Sequence, residues 1–426
     1  AALPLVDTKA SDISQVTTSE TLQKLPLGGS YAATFQLAPG VAENNSTAPN
    51  AGGGRQDNTF LYDGVNVTNP FFGDLFQNFT GVDIQEVNIT RGGVSAEFGR
   101  TGGFLVNAVT KSGTNSFHGS LVGEYQSEDW VADSKDETLQ RTKFERFRPG
   151  IALGGPVWRD HLFFYGSANF FRVTEKERVS NVEPLPDADT NTDEYFLKLT
   201  ANPTSSVLLD ASYRYRDIES TNSGIGATSA ASVGVDGFTE DRVGVLSAFW
   251  TVTPSFSIEA KYNHNEDLNT SHPVTDLGYQ PPFNAAAPYT VGRFRTGPGF
   301  IFPPATTTLQ FIGGADLAAN DQEFFRDEGR LQAALLANFL GATHDIRIGA
   351  SYSDNQEDLT RIANGWGAIT LSTSSLCGPA SARPCFQARY FPDQPPQVSE
   401  GTTWGLFLQD QMTWNRLTLN LGVLLN

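Results

Sequence analysis

The sequence predicts a transmembrane antiparallel β-barrel that follows a small glycine-rich unit of mixed α/β structure. Three observations support this fold class. From about residue 117 onward, apolar and polar residues alternate in runs of about ten residues. Tight turns and long connections follow these runs in strict alternation. Before residue 116, short apolar runs are broken by Gly-Gly and Asp-Gly pairs, which is typical of short strands joined by turns.

Composition argues against two classes of protein. The 426-residue chain has 47 acidic and 29 basic residues, a formal net charge of -18 at pH 7. Nucleic acid is therefore not expected as a partner, because phosphate binding needs clustered lysine and arginine. The chain has no run of 18 or more apolar residues, which excludes a membrane-spanning helix. Barrel strands remain compatible, since their alternating residues average to a modest hydropathy.

Alternation along each run separates an apolar face from a polar face. In one run, Val207, Leu209 and Tyr213 alternate with Asp210 and Arg214. In a soluble β-sandwich the apolar face would point to a core. In an outer-membrane barrel it would point to lipid, and the charged face would line a wet lumen. The strands alone fit both interpretations.

The connections distinguish the two interpretations. We predict eleven strands, at about residues 117–126, 147–157, 161–172, 194–201, 205–216, 241–252, 255–264, 328–340, 343–354, 403–413 and 416–424. Tight turns follow every second strand, at Trp158-Arg159-Asp160, Asn202-Pro203-Thr204, Thr253-Pro254, Gly341-Ala342 and Trp414-Asn415. The other connections are long, the largest at about residues 265–327 and 355–402. Short periplasmic turns alternating with long extracellular loops favour the membrane barrel.

The predicted strands make about half of a large barrel. A barrel wide enough to enclose the N-terminal unit needs about 22 strands. An open sheet edge cannot face lipid, because its backbone groups would stay unpaired. The sequence shows no signal peptide at Ala1 and no terminal aromatic residue at Asn426. We therefore expect a mature or trimmed chain that continues past Asn426, or one joined from pieces of a longer sequence.

The N-terminal unit contains three motifs in a fixed order. They are Asp63-Gly64-Val65, then Ile84-Gln85-Glu86-Val87 leading to Arg91-Gly92, then Glu97-Phe98-Gly99 followed by Gly102-Gly103 and the run 104–111. Together these motifs resemble the plug domain of TonB-dependent outer-membrane receptors. Segments 25–29, 37–41, 112–119 and 154–166 resemble the Oar-like branch of that family. A short helix is also predicted at residues 19–25.

The resemblance implies a plug at residues 1–115 inside a partial barrel at residues 116–426, located in the bacterial outer membrane with lipid and lipopolysaccharide around it. It also implies energy-coupled import. A ligand would bind to the outer loops and plug apices, and the TonB energy-coupling complex would drive the plug to rearrange. The alternative is an outer-membrane scaffold or a secretion-related barrel that associates with other outer-membrane proteins.

The plug motifs supply the candidate functional residues, which are Asp63, Gly64, Arg91, Gly92, Glu97, Gly99, Arg100, Gly102 and Gly103. In the resembled family, arginines at these motifs lie against acidic residues of the inner barrel wall. The resemblance therefore implies that Arg91 or Arg100 locks the plug in place. A buried arginine–carboxylate contact is directional and can be bidentate. The alternative is that these arginines, with Glu86 and Glu97, are solvated charges on the plug surface.

No catalytic site, resident metal or cofactor is predicted. The five histidines are scattered and lack the spaced ligands of a catalytic metal. The run Asp187, Asp189, Asn191, Asp193 echoes the first positions of a calcium-binding loop. However, Thr192 and Lys198 occupy positions where that loop requires glycine and glutamate. A solvated acidic loop is the favoured interpretation.

Cys377 and Cys385 are the two cysteines of the chain. Too few ligands surround them for a structural zinc site. In an oxidising compartment they would form one local disulfide that closes a loop. Two free thiols are the alternative.

The extracellular ligand is not specified by any motif, because specificity in such barrels depends on loops. The loops show no basic or aromatic cluster suited to an anionic ferric complex. We therefore favour a peptide, a protein or an oligosaccharide as the ligand.

Overall fold

The computed structural model describes residues 13–24, 32–38, 41, 57–75, 79, 81–99, 101–131, 143–181, 183–276, 311–365, 367–372, 385–389, 394–415 and 417–426. Within these ranges the chain is mainly β-structure, arranged in three sheets. None of the helices in these ranges is long and apolar enough to cross a membrane.

A five-stranded sheet forms the plug. Its strands are β1 (Ile13–Thr18), β2 (Thr59–Tyr62), β3 (Val65–Asn66), β4 (Ile84–Gly92) and β5 (Leu105–Thr110), in the order β1-β4-β5-β2-β3. β2 and β5 are parallel, and the other neighbours are antiparallel. The predicted helix is present as α1 (Ser19–Lys24), and a 3-10 helix (Ala32–Leu37) follows it. The mixed character predicted for the plug is confirmed.

Aromatic rings fill the core of the plug. Phe35 from the 3-10 helix lies against Phe60 of β2 and Phe104 just before β5, with ring centres 5.5 and 5.8 Å away. All three rings are buried. At the hairpin between β2 and β3, Asp63 and Gly64 have φ angles of 49° and 78°. This left-handed pair is typical of a two-residue hairpin turn and confirms the predicted Asp-Gly turn.

The remaining strands are β6 (His118–Ser127), β7 (Lys143–Trp158), β8 (Leu162–Lys176), β9 (Ala188–Thr204), β10 (Val207–Ser223), β11 (Val235–Thr253), β12 (Phe256–Pro273), β13 (Phe311–Gly314), β14 (Ala318–Phe339), β15 (Ala342–Ala363), β16 (Ala368–Ser372), β17 (Cys385–Arg389), β18 (Gln397–Trp414) and β19 (Leu417–Leu425). Eleven of them form one antiparallel sheet in chain order, which we call the barrel wall; β13, β16 and β17 form a small separate sheet. The eleven predicted barrel strands are therefore confirmed.

Many wall strands run further from the short turns than the sequence predicts. β14 begins at Ala318, ten residues before the predicted start, and β15 ends at Ala363, nine residues after the predicted end. The long connections are correspondingly shorter, and they contribute the small sheet, which was not predicted. One turn was also wrong: β9 continues to Thr204, because the irregular pairing at Val207 accommodates Pro203.

Aromatic residues mark two levels on the outer face of the wall. Tyr262, Tyr352 and Trp404 lie in one row of paired residues, and each is about half exposed. Ten residues further along β18, Trp414 lies beside the short turn between β14 and β15. With a rise of about 3.3 Å per residue and a strand tilt near 40°, the two levels are about 25 Å apart along the membrane normal. This spacing matches the apolar band of an outer-membrane barrel.

The inner face of the wall packs against the plug. Tyr165 and Phe196 on the wall join the same buried cluster as Phe60, Tyr62 and Ile84 of the plug. The chain passes from plug to wall beside β8, where Gly113 lies so close that an added Cβ would stand 2.2 Å from the Phe164 carbonyl oxygen. Glycine is required at this position, which accounts for one residue of the segment 112–119.

The outward face can be tested by placing a charge at different heights on one strand. Ile348 lies on the outer face of β15, between the two aromatic levels, and Gln356 lies on the same face beyond Tyr352. We expect Ile348→Arg in the full-length protein to destabilise the bilayer-inserted barrel by about 2–4 kcal/mol. Gln356→Arg should change it by less than about 1 kcal/mol. Urea titration in lipid bilayers measures both, and equal effects would contradict the assigned membrane band.

Candidate functional site

A buried arginine on the inner face of the wall contacts the plug. Arg214 lies on β10 and is fully buried. Its guanidinium forms ion pairs with Asp83 of the plug and with Glu194 on the neighbouring strand β9. Its Nε also donates a hydrogen bond to the Tyr62 hydroxyl, with a distance of 3.0 Å. One cation therefore joins two strands of the wall to two segments of the plug.

Three aromatic rings enclose the same guanidinium. Its Cζ lies 4.9 Å from the ring centre of Tyr62, 4.3 Å from that of Phe79 and 4.8 Å from that of Phe196. Cation–π attraction of this kind strengthens when water is excluded. The name Arg214 cage is used below for Arg214 together with Tyr62, Phe79, Asp83, Glu194 and Phe196.

The cage places two carboxyl groups around one permanent cation. Burial raises the pKa of Asp83, and the nearby Arg214 offsets only part of that effect. Burial also raises the pKa of Tyr62, so its phenol keeps its proton. Because buried charge is costly without a partner, removal of Arg214 would leave Asp83 and Glu194 uncompensated.

A second contact connects the predicted Asp-Gly turn to the wall. Asp63 accepts hydrogen bonds from the Thr110 backbone N–H (2.8 Å) and from the Thr110 hydroxyl (2.6 Å). Lys198 on β9 donates its Nζ to Asp63 Oδ2 (3.2 Å) and to Thr110 Oγ1 (2.9 Å). Thr110 and Lys198 are both buried. The turn is thus fixed to the plug sheet and to the wall by the same carboxylate.

A third contact lies beside a cavity between plug and wall. Arg330 on β14 pairs with Glu97 (3.5 Å), donates to the Gly64 carbonyl oxygen (3.2 Å) and stacks over Phe98 (4.9 Å). The cavity has a volume of about 310 Å³ and is also lined by Lys261 and other polar residues from both sides. This contact is therefore wetter than the Arg214 cage.

Hydrogen bonds outside these ion pairs complete the contact. Gln409 on β18 accepts from the Ser95 hydroxyl (2.7 Å) and from the Ala96 backbone N–H (2.8 Å). Asn265 on β12 donates to the Asn66 carbonyl oxygen (3.0 Å). Arg326 donates to the carbonyl oxygen of Thr68 (2.8 Å). The plug is held by separate polar contacts along several strands of the wall.

Comparison with known proteins identifies the family of the wall. The profile of the family described as "Outer membrane beta barrel domain" matches residues 109–190 and 178–423. The chain belongs to this family. Its location is therefore the bacterial outer membrane, and the soluble sandwich is excluded.

One curated relative of this outer-membrane barrel is a TonB-dependent protein. The TonB-dependent transporter Oar from Myxococcus xanthus is 26% identical over an alignment of 483 positions, which covers 92% of this chain and 44% of Oar. The chain thus spans less than half the length of that relative. The predicted resemblance to TonB-dependent receptors of the Oar-like branch is confirmed.

Solved structures share the fold at low sequence identity. The outer-membrane transporter YddB from Escherichia coli superposes with a TM-score of 0.70 at 13% identity, covering 96% of this chain and 56% of YddB. The alcaligin receptor FauA from Bordetella pertussis gives 0.63 at 14% identity, covering 99% and 56%. These likenesses confirm the predicted architecture of a plug within an outer-membrane barrel.

The charges at the plug–wall contact have the opposite arrangement to the one predicted. The described ion pairs between the two parts join wall cations to plug carboxylates. Within the described residues no ion pair connects Arg91 to the wall, and its Nε is buried without a hydrogen-bond partner. Arg100 lies outside the described residues, so its locking role stays a prediction. Glu86 lies in β4, opposite Thr18 in the antiparallel backbone pairing with β1.

Both predicted carboxylates and two of the predicted glycines do lie at the contact. Asp63 and Glu97 bind the wall, and Gly64 supplies a carbonyl oxygen to it. Gly99 faces Leu424 of the wall, so a Cβ there would meet that side chain. The other predicted glycines have structural positions within the plug: Gly92 ends β4, whereas Gly102 and Gly103 face Asp57 and Asn58.

The acidic run that resembles the start of a calcium-binding loop does not form such a loop in the structure. Asp189, Asn191 and Asp193 lie on one face of the extended strand β9, with successive side chains about 6.6 Å apart. Asp189 accepts from Thr174 (2.7 Å), and Asp193 pairs with Arg172. The structure does not bring these residues, or Asp187 before the strand, into a curled loop. The disulfide stays a prediction, since Cys377 lies outside the described residues.

The cations that hold the plug were not predicted from the sequence. Lys198, Arg214 and Arg330 each lie on the inward face of an alternating strand. A lysine or arginine at an inward-facing position of an alternating strand is unusual enough in this strongly acidic chain that it could have identified these three residues. Asp83 and Tyr62 carry no such signal, because their partners are more than 100 residues away in sequence.

The Arg214 cage can be tested against an exposed ion pair of the same type. We expect Arg214→Met in the full-length protein to destabilise plug docking by about 3–5 kcal/mol, because two buried carboxyls lose their partner. Arg242→Met is the control, since Arg242 pairs with Glu240 and Glu266 at the outer surface and should contribute about 0–1 kcal/mol. Pulse proteolysis of the plug across a urea series measures both. Similar midpoints for the two variants would exclude the cage as the main attachment.

Proposed function

We propose that this chain is the plug and part of the barrel of a TonB-dependent outer-membrane transporter. It would bind an extracellular ligand and import it with energy transmitted from the inner membrane. The observation that carries the proposal is the plug–wall contact, which consists of separate ion pairs and hydrogen bonds beside a cavity. Similarity to a protein named as a TonB-dependent transporter supports the same function.

The proposed mechanism needs differential affinity between two plug positions and no catalytic residue. In the resting position the wall cations hold Asp63, Asp83 and Glu97. A pull from the TonB complex would break these contacts one after another, and the plug would shift enough for the ligand to pass. The cavity beside Glu97 and Arg330 supplies room for the first displacement.

The finer assignments belong to the same proposal. The plug comprises residues 1–115 and the barrel begins at residue 116. The protein is not an enzyme, in agreement with the transporters and receptors to which it is similar. The ligand is a peptide, a protein or an oligosaccharide. Outer-membrane lipid, lipopolysaccharide, the TonB complex and other outer-membrane proteins are its expected partners.

Energy-dependent movement of the plug can be measured without knowing the ligand. Thr110 is buried between Asp63 and Lys198. We expect Thr110→Cys, in a full-length protein with Cys377→Ser and Cys385→Ser, to react with a hydrophilic maleimide in energised cells. The reaction should slow several-fold when TonB is deleted or the proton gradient is collapsed.

Thr402→Cys provides the control, because Thr402 is exposed on β18 and needs no plug movement to react. Its labelling should be the same with and without TonB. If Thr110→Cys also reacts at a rate independent of TonB and the gradient, the plug does not move under energy coupling. The scaffold alternative would then replace the transport function.

A further inference from the structure

An apolar groove crosses the outer face of the wall between β7 and β10. Its volume is about 410 Å³. Gly166 and Ala168 on β8 form its floor. The walls are formed by bulkier residues of the neighbouring strands, namely Ile151, Leu153, Tyr195, Leu197, Tyr213 and Tyr215. The groove is a depression between the larger side chains of β7, β9 and β10.

Neither the backbone nor the packing requires glycine on the floor. Gly166 has no left-handed φ angle. A Cβ built on it would make only ordinary contacts, 3.6 Å from the Phe196 carbonyl oxygen and 3.8 Å from Leu197 Cδ1. Glycine in a strand interior weakens the strand, and one of its uses is to let another molecule approach the backbone closely. The space above Gly166 is therefore available for an occupant.

The position of the groove on the wall indicates which kind of molecule would occupy it. It lies on the lipid-facing side, continuous with the apolar band, and its upper end is formed by Tyr195 and Tyr215, whose ring centres are 6.3 Å apart. Tyrosines at this level mark the extracellular headgroup boundary. A lipid chain that enters from the outer leaflet would therefore lie along the groove with its polar end beside these phenols.

Charges above the groove show how such a lipid would be held. Arg172 is paired with Asp193, and Arg242 is paired with Glu240 and Glu266. These cations are already neutralised, so they are poor partners for a lipid phosphate. Retention should depend on apolar contact in the groove, which is insensitive to salt, more than on the headgroup.

We propose that this groove binds one acyl chain of lipid A from the outer leaflet. The test uses the full-length protein extracted in mild detergent, with lipid A counted by native mass spectrometry after detergent exchange. Gly166→Leu fills the groove. We expect roughly tenfold weaker retention of lipid A, the change that follows when about two buried CH₂ groups lose their contacts. Ala168→Leu should give the same loss and serves if Gly166→Leu does not fold.

Gly329→Leu is the matched control. Gly329 also faces outward with nothing within 4 Å of an added Cβ, but it lies between Tyr262 and Tyr352 and outside the groove. It should retain lipid A as the unmodified protein does, also in high salt and EDTA. Equal retention by Gly166→Leu and Gly329→Leu would overturn the proposal. The proposal would also be overturned if Gly166→Leu retained lipid A but lost a bound phospholipid, a second copy of the chain or another protein.

Discussion

A barrel wall that is apolar outside has a polar inner face, and the plug must supply partners for that face. The alternation of β10 shows the constraint directly: Tyr213 points to lipid, and its neighbour Arg214 points into the plug. A guanidinium buried there costs several kcal/mol unless it is paired. Asp83, Glu194 and the surrounding rings meet this requirement. The Arg214 cage thus follows from the same period of two residues that builds the barrel.

The plug–wall contacts differ in strength because they differ in access to water. The Arg214 cage is dry, the Asp63–Lys198 pair is mostly buried, and the Glu97–Arg330 pair borders a cavity. Ion pairs in contact with water contribute about 0–1 kcal/mol, whereas breaking a buried pair costs about 3–5 kcal/mol. In the proposed transport mechanism, contacts graded in this way would keep the plug docked at rest and let it loosen from one side. Transport by displacement of the plug requires both properties.

The strands of the wall are predictable from the sequence because their structure follows from a local period of two residues. All eleven wall strands were predicted, since apolar residues at every second position identify a lipid-facing strand. Beyond Tyr262 and Tyr352 both faces become polar, so the period disappears and the upper parts of β12 and β15 were missed. The Arg214 cage joins residues 20 to 152 positions apart, and no local pattern encodes such a contact. Arg91 was proposed by resemblance, but the described wall uses cations of its own.

The most direct measurement is a double-mutant cycle between plug and wall. Asp83→Asn, Arg214→Met and the double variant are compared in the full-length protein through the free energy of urea-induced plug release. Residues in one buried ion-pair network show coupling energies of about 0.5–3 kcal/mol, and a fully buried pair should lie near the upper end. A coupling of about 2 kcal/mol or more is expected if Arg214 holds the plug through Asp83. Additive effects, with a coupling below about 0.5 kcal/mol, would contradict this attachment.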